Sequence, residues 1–600
     1  MKRNFFINSP LEKGDKGGCE AEREEEIKEQ PPAPPFLRGN ISDNWLWYPC
    51  AAALTGKGHL SRWTCLSGRQ GIEGILHDNV QIILRLFLSF CIFFVLLLMF
   101  SCSSQNRLEG HVYYRLANNP TTLDPALIVD VTGGYISAKI FNGLVRLDEN
   151  LNVIPDIAEK WEVTDNGQTY IFHIKQGILF SNKREVEAQD FKYSFQRNLS
   201  PEGRFPNTWV FSKVLGARDY MNKKNNDVAG IEVLDKYTLK IRLEDQFSPF
   251  INLLTMTPAY VVPREEVEKM GADFSAHPVG TGPFILKEWK QGNELILSRN
   301  ERYFADKAKV NGIVYRIIPE ELTAVTEFEI GNIDLISMPA SEYSRFNKAP
   351  EWRNLISSVK GLNTYYLGFN CSRPPFDNMR LRKAVSSSID RDKILRTFYE
   401  GRGRAAKGPV PDILRKWDLP SVQAYDPAKA RQIIKEEGME GKTVNFYVTQ
   451  GEDILDIAEI IQSYLKSAGL NVKIKQLEWS AYKSAINNGE ADIFWLSWWA
   501  DYPDPENFLF PLFHSSNHGA GGNRTMYTNK EVDRLIEAGR RTLLAEERNR
   551  YYRKAEEIII QDAPWVFFWH KTDLTLRQPN LKNYKVYPIY SMDKGTEVSF

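Results

Sequence analysis

An aspartate set among aromatic rings is a ready partner for a cation. The run Trp498-Trp-Ala-Asp-Tyr502 presents such a set, with Asp501 as its only charge. At neutral pH a carboxylate accepts charge-assisted hydrogen bonds from an ammonium group. Trp498, Trp499 and Tyr502, with Ala500 between them, supply apolar faces beside it. Together they suit a ligand that carries an ammonium group and apolar parts. The structural alternative is that Asp504-Pro505, an ordinary turn former, simply closes a loop and that the tryptophans belong to a core.

The elements that must position Asp501 are readable around it. Over 443–449, Val444, Phe446 and Val448 alternate, the period of a strand. Over 455–465, Leu455, Ile457, Ile460, Ile461, Tyr464 and Leu465 fall near helical spacing, and Gly469 stands where a helix-ending glycine belongs. Leu470, Val472 and Ile474 alternate again. Ser480 is placed to cap a short helix to Asn488, Gly489 ends it, and a strand is expected over 492–499. Strands alternating with helices imply α/β architecture with a mainly parallel sheet. In such sheets ligands sit beyond the carboxyl ends of strands, and Asp501 stands at that place.

Residues 86–100 are apolar and uncharged apart from one serine, preceded by Arg85 and followed by Ser101-Cys102-Ser-Ser. A basic residue, an apolar stretch and small residues at the exit describe a secretory signal. Cys102 after a small residue resembles a bacterial lipobox, whose cysteine is lipidated and becomes the mature N-terminus; Met99 and bulky Phe100 depart from that pattern. The stretch 81–101 is also long enough for an uncleaved membrane helix with Arg85 at its edge. Residues 1–80 carry an acidic run, the polyproline stretch Gln30-Pro-Pro-Ala-Pro-Pro35 and no sustained period. They read either as a translation start assigned too far upstream or as a disordered extension.

Lys plus Arg equals Asp plus Glu at 76 each, so no global positive field favours nucleic acid. Of six cysteines, only Cys371 lies beyond Cys102. With Cys102 lipidated no internal disulfide can form, and Cys371 reads as packing. There is no phosphate-binding G-x-x-x-x-G-K-[ST], no G-x-S-x-G elbow and no H-E-x-x-H. His514 and His518 have a metal-compatible spacing only on a helix, and Gly519-Ala-Gly-Gly522 argues against one. The segment Ile330-Gly-Asn-Ile-Asp-Leu-Ile336 echoes Asn488-Gly-Glu-Ala-Asp-Ile-Phe494: each ends a helix with glycine and enters a strand through aspartate. The echo means either two lobes of similar build or a coincidence of common punctuation.

Several segments, taken in order, carry a family resemblance. They are Thr121-Thr-Leu-Asp-Pro125, Ile157-Ala-Glu-Lys-Trp161, Phe172-His-Ile-Lys-Gln-Gly177, Pro278-Val-Gly-Thr-Gly-Pro-Phe284, Pro375-Phe-Asp-Asn-Met-Arg-Leu-Arg-Lys-Ala384 and the Trp498 run. The chain resembles solute-binding protein family 5, the oligopeptide- and dipeptide-binding components of bacterial ABC importers. The resemblance implies a two-lobed periplasmic-binding-protein-like α/β fold with an extra domain inserted in the first lobe. On that plan 1–80 is leader, 81–101 lipoprotein signal and 102–110 tether. The first lobe is 111–154, 278–368 and 569–600, the insert 155–277, and the second lobe 369–568.

It further implies that Asp501 pairs with a peptide's α-ammonium, and that backbone near Trp499 and in the 116–119 loop, with Asn118 and Asn119, bonds an extended peptide. Arg402 and Arg404 are candidates for a ligand carboxylate, with a solvated basic loop as the alternative. The expected protein is a monomeric extracytoplasmic lipoprotein, anchored to the membrane through Cys102, that delivers peptides to an ABC permease. It needs no catalysis, metal or cofactor. Another solute, such as a sugar or metal chelate, and an exported enzyme using the same cleft are the competing readings.

Overall fold

The computed structural model describes residues 107–600 apart from Gly401; Cys102 and the apolar run before it lie outside the described residues. One twelve-stranded sheet organises the chain. From one edge it runs Asn471–Leu477, Thr443–Thr449, Ile493–Trp499, Asn363–Phe369, Trp565–Arg577, Leu335–Ser337, His111–Leu116, Gly312–Ile317, Glu294–Arg299 and Phe284–Lys290. Two short strands, Ile356–Lys360 and Gly403–Ala405, also pair with Trp565–Arg577. Parallel pairs occur inside each half, between Thr443–Thr449 and Asn471–Leu477 and between His111–Leu116 and Gly312–Ile317. The strands around Trp565–Arg577 are antiparallel to it, so the sheet is mixed rather than mainly parallel.

Trp565–Arg577 is shared between lobes. Its first half pairs with Asn363–Phe369 and its second with Ile356–Lys360 and Leu335–Ser337. The chain therefore crosses between lobes twice, at Gly361-Leu362 and at Lys571-Thr572. The crossings are tied together: Gly361 N donates to Lys571 O (3.0 Å), and Lys571 N to Asn363 Oδ1 (2.6 Å). Two adjacent crossings, one at the break between Ile356–Lys360 and Asn363–Phe369 and one within the continuous strand Trp565–Arg577, make the double hinge expected of a lobed binding fold. Asn363–Phe369 thus belongs with the second lobe, so the boundary falls at 361–362 rather than 368–369. The physical reason is register: this strand pairs along its whole length with Ile493–Trp499.

The 330–336 and 488–494 echo is structural. Gly331 and Gly489 both take left-handed backbone (φ 81 and 70°), ending the helices Glu321–Glu329 and Trp479–Asn487. Each following aspartate is buried and caps the neighbouring strand. Asp334 accepts from Tyr113 N (2.7 Å) and pairs with Arg107 (2.5 Å). Asp492 accepts from Asn445 N (2.8 Å) and pairs with Arg373 (2.8 Å). The same helix-glycine-aspartate-strand device thus recurs in both lobes. Because Arg107 is held this way, the end of the expected tether is packed onto the first lobe.

The insert is a four-stranded antiparallel sheet in the order Ala158–Thr164, Thr169–Ile174, Thr238–Arg242, Ile231–Asp235. The helix Ala188–Asn198 covers it, burying Phe191 and Phe195 against Phe172 and Ile241. Past 261 the next buried apolar residues, Val262, Val267 and Phe274, pack with Val112 and Ile313 of the first lobe. The helix Arg264–Met270 bridges the two, since its Glu265 pairs with Arg184 of the insert (2.5 Å).

Local details settle how two helices start and where the Cys371 thiol and two histidines sit. Glu478, not Ser480, caps Trp479–Asn487, because its carboxylate reaches forward to accept from Ser480 N and Ala481 N. The helix Lys530–Arg541 starts from Asn529, whose side chain accepts from Glu531 N and Val532 N. Burial pushes the Cys371 thiol up to about 12, which leaves it protonated. His514 Nδ1 lies 2.8 Å from Ser516 Oγ, and His518 Nε2 lies 3.0 Å from Tyr527 O, so the two imidazoles serve separate loops.

Candidate ligand-binding site

A cavity of about 1320 Å³ lies between the lobes and takes walls from both of them and from the insert. This is larger than the roughly 300–1,000 Å³ typical of small-molecule sites. Asp501 lies just beyond the carboxyl end of Ile493–Trp499 and faces this space. The cavity opens to solvent, and Asp501 is exposed within it. Desolvation by the surrounding walls still pushes its carboxyl above the ordinary aspartate range, and one hydrogen bond pulls it partway back. That bond comes from Asn507 Nδ2 (3.2 Å), its one side-chain hydrogen bond among the described residues.

Asn507 is the residue that sequence reasoning missed. It sits buried in the first turn of Glu506–Phe513 and addresses the loop three ways. Its Oδ1 accepts from Asp501 N (3.0 Å) and from Trp498 Nε1 (3.3 Å), while its Nδ2 holds the carboxylate. A fixed amide thus orients the acid without neutralising it. Across the cavity stands Tyr590, whose hydroxyl is raised chiefly by burial, with smaller contributions from the charges of Asp501 and Asp130. Gly134 makes room for that ring: a Cβ there would lie 2.5 Å from Tyr590 Cε2.

The other expected site residues divide. Trp498 and Trp499 line the cavity, and Trp499 remains 43% exposed, an open aromatic face. Ala500 lines it too, but its N–H is spent on Leu362 O (2.9 Å), so only other groups of this stretch are open to a ligand. Tyr502 also borders the cavity, but its ring is packed into the core of the insert and its hydroxyl donates to Glu506. Asn118 and Asn119 do not line the cavity; Asn119 Oδ1 accepts from Gly292 N (2.9 Å) in a neighbouring turn, and Arg115 and Ala117 line the wall instead. Arg404 is occupied by a two-pronged pairing with Asp412 (2.7 and 3.0 Å). Arg402, by contrast, lines the cavity rather than lying on a solvated loop.

Tyr502 belongs to a second arrangement, where the lobes touch. Asp504 and Glu506, both almost wholly buried, pair with Arg548 and Arg540 respectively. Asn252, from the insert side, donates to Asp504 Oδ2 (3.0 Å), and Ser248 N donates to Arg540 O (2.8 Å). The Asp-Pro turn therefore acts as a contact between lobes next to the cavity floor.

A sheet shared by two lobes, a double hinge and a walled interlobe cavity define a class of hinged ligand-capturing proteins. Residues 152–520 match the model of the bacterial extracellular solute-binding proteins, family 5, middle region, and the chain belongs to that family. It is 28% identical to heme-binding protein A of Haemophilus influenzae over 496 residues, covering 78% of this chain and 89% of that one. It is 26% identical to di/tripeptide-binding protein 1 of Pseudomonas aeruginosa over 507 residues, covering 80% and 92%. Among solved structures, the periplasmic binding protein DppA of Helicobacter pylori, in complex with the peptide STSA, superposes with a TM-score of 0.69 at 26% identity, covering 82% of this chain and 97% of that one.

Proposed function

We propose that this protein captures peptides between its lobes and delivers them to an ABC permease. The observation that carries the reading is Asp501: an oriented carboxylate without a cationic partner among the described residues, facing a large interlobe cleft beside the open face of Trp499. Partial desolvation between the cleft walls disfavours its charged form, and a ligand ammonium offsets that. A neutral sugar does not. The relatives named for di- and tripeptides, and the neighbour holding a peptide, support the same reading. Main-chain hydrogen bonds to an extended ligand are indifferent to side-chain identity, which suits a cavity of this size.

Mass spectrometry of small molecules released from protein purified without refolding tests this. A mixture of peptides with free amino termini is expected; a single glycan, porphyrin or metal chelate would overturn it.

The anchor is part of the proposal. Ser101-Cys102 after an apolar run supports lipidation at Cys102 and attachment to the outer face of a membrane. Cys102→Ala should abolish acylation and release the protein into the soluble fraction. Unchanged membrane retention and mass in that variant would instead favour an uncleaved helix.

A further inference from the structure

We infer that Arg402 binds a carboxylate of the ligand, so that the cavity reads an anionic group as well as the ammonium at Asp501. This rests on the peptide reading of the same cavity and adds a second charged contact to it.

Arg402 follows the helix Arg391–Phe398 after a sharp turn in which Glu400 takes left-handed backbone (φ 46°). Its guanidinium is held on two sides. Nε donates to Tyr399 O (3.0 Å) and Nη2 to Phe398 O (3.1 Å), carbonyls at the end of that helix, where a cation also meets the negative end of the helix dipole. The rings of Tyr343 and Tyr399 lie 5.4 and 5.5 Å from its centre. The main chain is fixed as well, since Thr572 N at the lobe crossing donates to Arg402 O (2.9 Å).

Nη1 makes no hydrogen bond among the described residues, and no described carboxylate pairs with Arg402, although it lines the same cavity as Asp501. Of the other cations of the wall, Arg540 pairs with Glu506 (2.7 Å), and Lys585 with Glu149 (2.5 Å) and Glu597 (3.0 Å). Arg115 spends Nε and Nη2 on Ile318 O (2.8 Å) and Pro319 O (2.6 Å) and feels the charges of Glu321 and Glu320. Lys213 and Lys571 also line the wall, but no side-chain hydrogen bond among the described residues fixes their ammonium groups as Arg402 is fixed. A guanidinium already locked in place loses little freedom when it binds a planar carboxylate, and its fork matches that group. Asp453 lines the same end of the cavity and acts on Tyr399 without forming an ion pair with Arg402. The carboxylate can be the peptide's own terminus or an acidic side chain.

Three synthetic peptides separate these sources: Ala-Ala-Ala, its C-terminal amide, and the amide of Ala-Ala-Glu. Calorimetry on wild type should show the first binding about tenfold or more tighter than the second. Arg402→Gln should remove that advantage while changing the affinity of Ala-Ala-Ala amide little, and Arg402→Lys should restore part of it. The acid-to-amide ratio is compared within each folded variant, so a general loss of stability does not move it. If the ratio in Arg402→Gln is lost for the Glu peptide alone, the group read is a side chain, and the carboxylate site stands. Equal affinities of all three peptides in wild type, or equal weakening of all three peptides by Arg402→Gln, would overturn the inference. Peptide capture would survive that result provided N-acetylation still weakens binding. Failure of wild type to bind any of the peptides would overturn both.

Discussion

Asp501→Asn should weaken binding of peptides with a free amino terminus by about tenfold to somewhat over a hundredfold. The substitution keeps the shape of the side chain and its acceptor for Asn507 Nδ2, now at 3.2 Å, and removes only the charge. A hydrogen bond to a charged group contributes roughly 1.5–3 kcal/mol net, and about 1.4 kcal/mol is tenfold in affinity. N-acetylated peptides should bind wild type poorly and lose little further in the variant, which closes a double cycle by calorimetry. The pH dependence follows from the raised carboxyl. A bound ammonium favours the ionised acid, so affinity is full at neutral pH. It is lost as pH falls through a value above that of an ordinary aspartate. The Asn variant should show no such dependence. Equal weakening of free and acetylated peptides would make Asp501 a structural residue and sink the site.

Arg548→Met is expected to cost stability rather than contacts with ligand. Asp504 is 1% exposed, and with Arg548 gone it keeps only the amide of Asn252 (3.0 Å) and Glu506 N (2.9 Å). Removing one partner of a buried pair leaves an uncompensated charge, at about 3–5 kcal/mol. Replacing both at once, Arg548→Met with Asp504→Asn, should cost less than Arg548→Met alone, because the stranded charge is gone. Asn252 lies across the lobe contact from Asp504, so the single variant should also loosen closure, read as a larger radius of gyration with ligand present. Urea unfolding of the three variants measures the first effect. A loss below about 1 kcal/mol in Arg548→Met would show that water or relaxation already compensates Asp504.

Much of the second lobe was legible because period is a property of neighbours along the chain. Val444, Phe446 and Val448 alternate, and all three are buried in a strand. Ile457, Ile461 and Leu465 recur at helical spacing and are buried on one face of Glu452–Ser467. The glycine that ends a helix and the aspartate that opens the next strand recur in both lobes, since each answers a local need: left-handed backbone in one case, an unpaired strand N–H in the other. For the same reason Asp501 could be placed beyond a strand end from sequence alone.

Tertiary structure decided everything that depends on partners distant in sequence. Asn118 and Asn119 sit in the right loop, yet a turn at Gly292 claims Asn119. Tyr502 borders the cavity, yet its ring is packed into the insert's core by residues roughly 240–360 positions earlier in the chain. Arg402 and Arg404 are two positions apart with the same side chain. One is neutralised by Asp412, and the other is turned into the cavity by helix-end carbonyls and two rings. The strand 363–369 carries no mark of its lobe; its register with Ile493–Trp499 assigns it. Periodicity records which face of an element is buried, whereas the partner that buries it is chosen by packing across the whole chain, and the chemistry of this cleft depends on that choice.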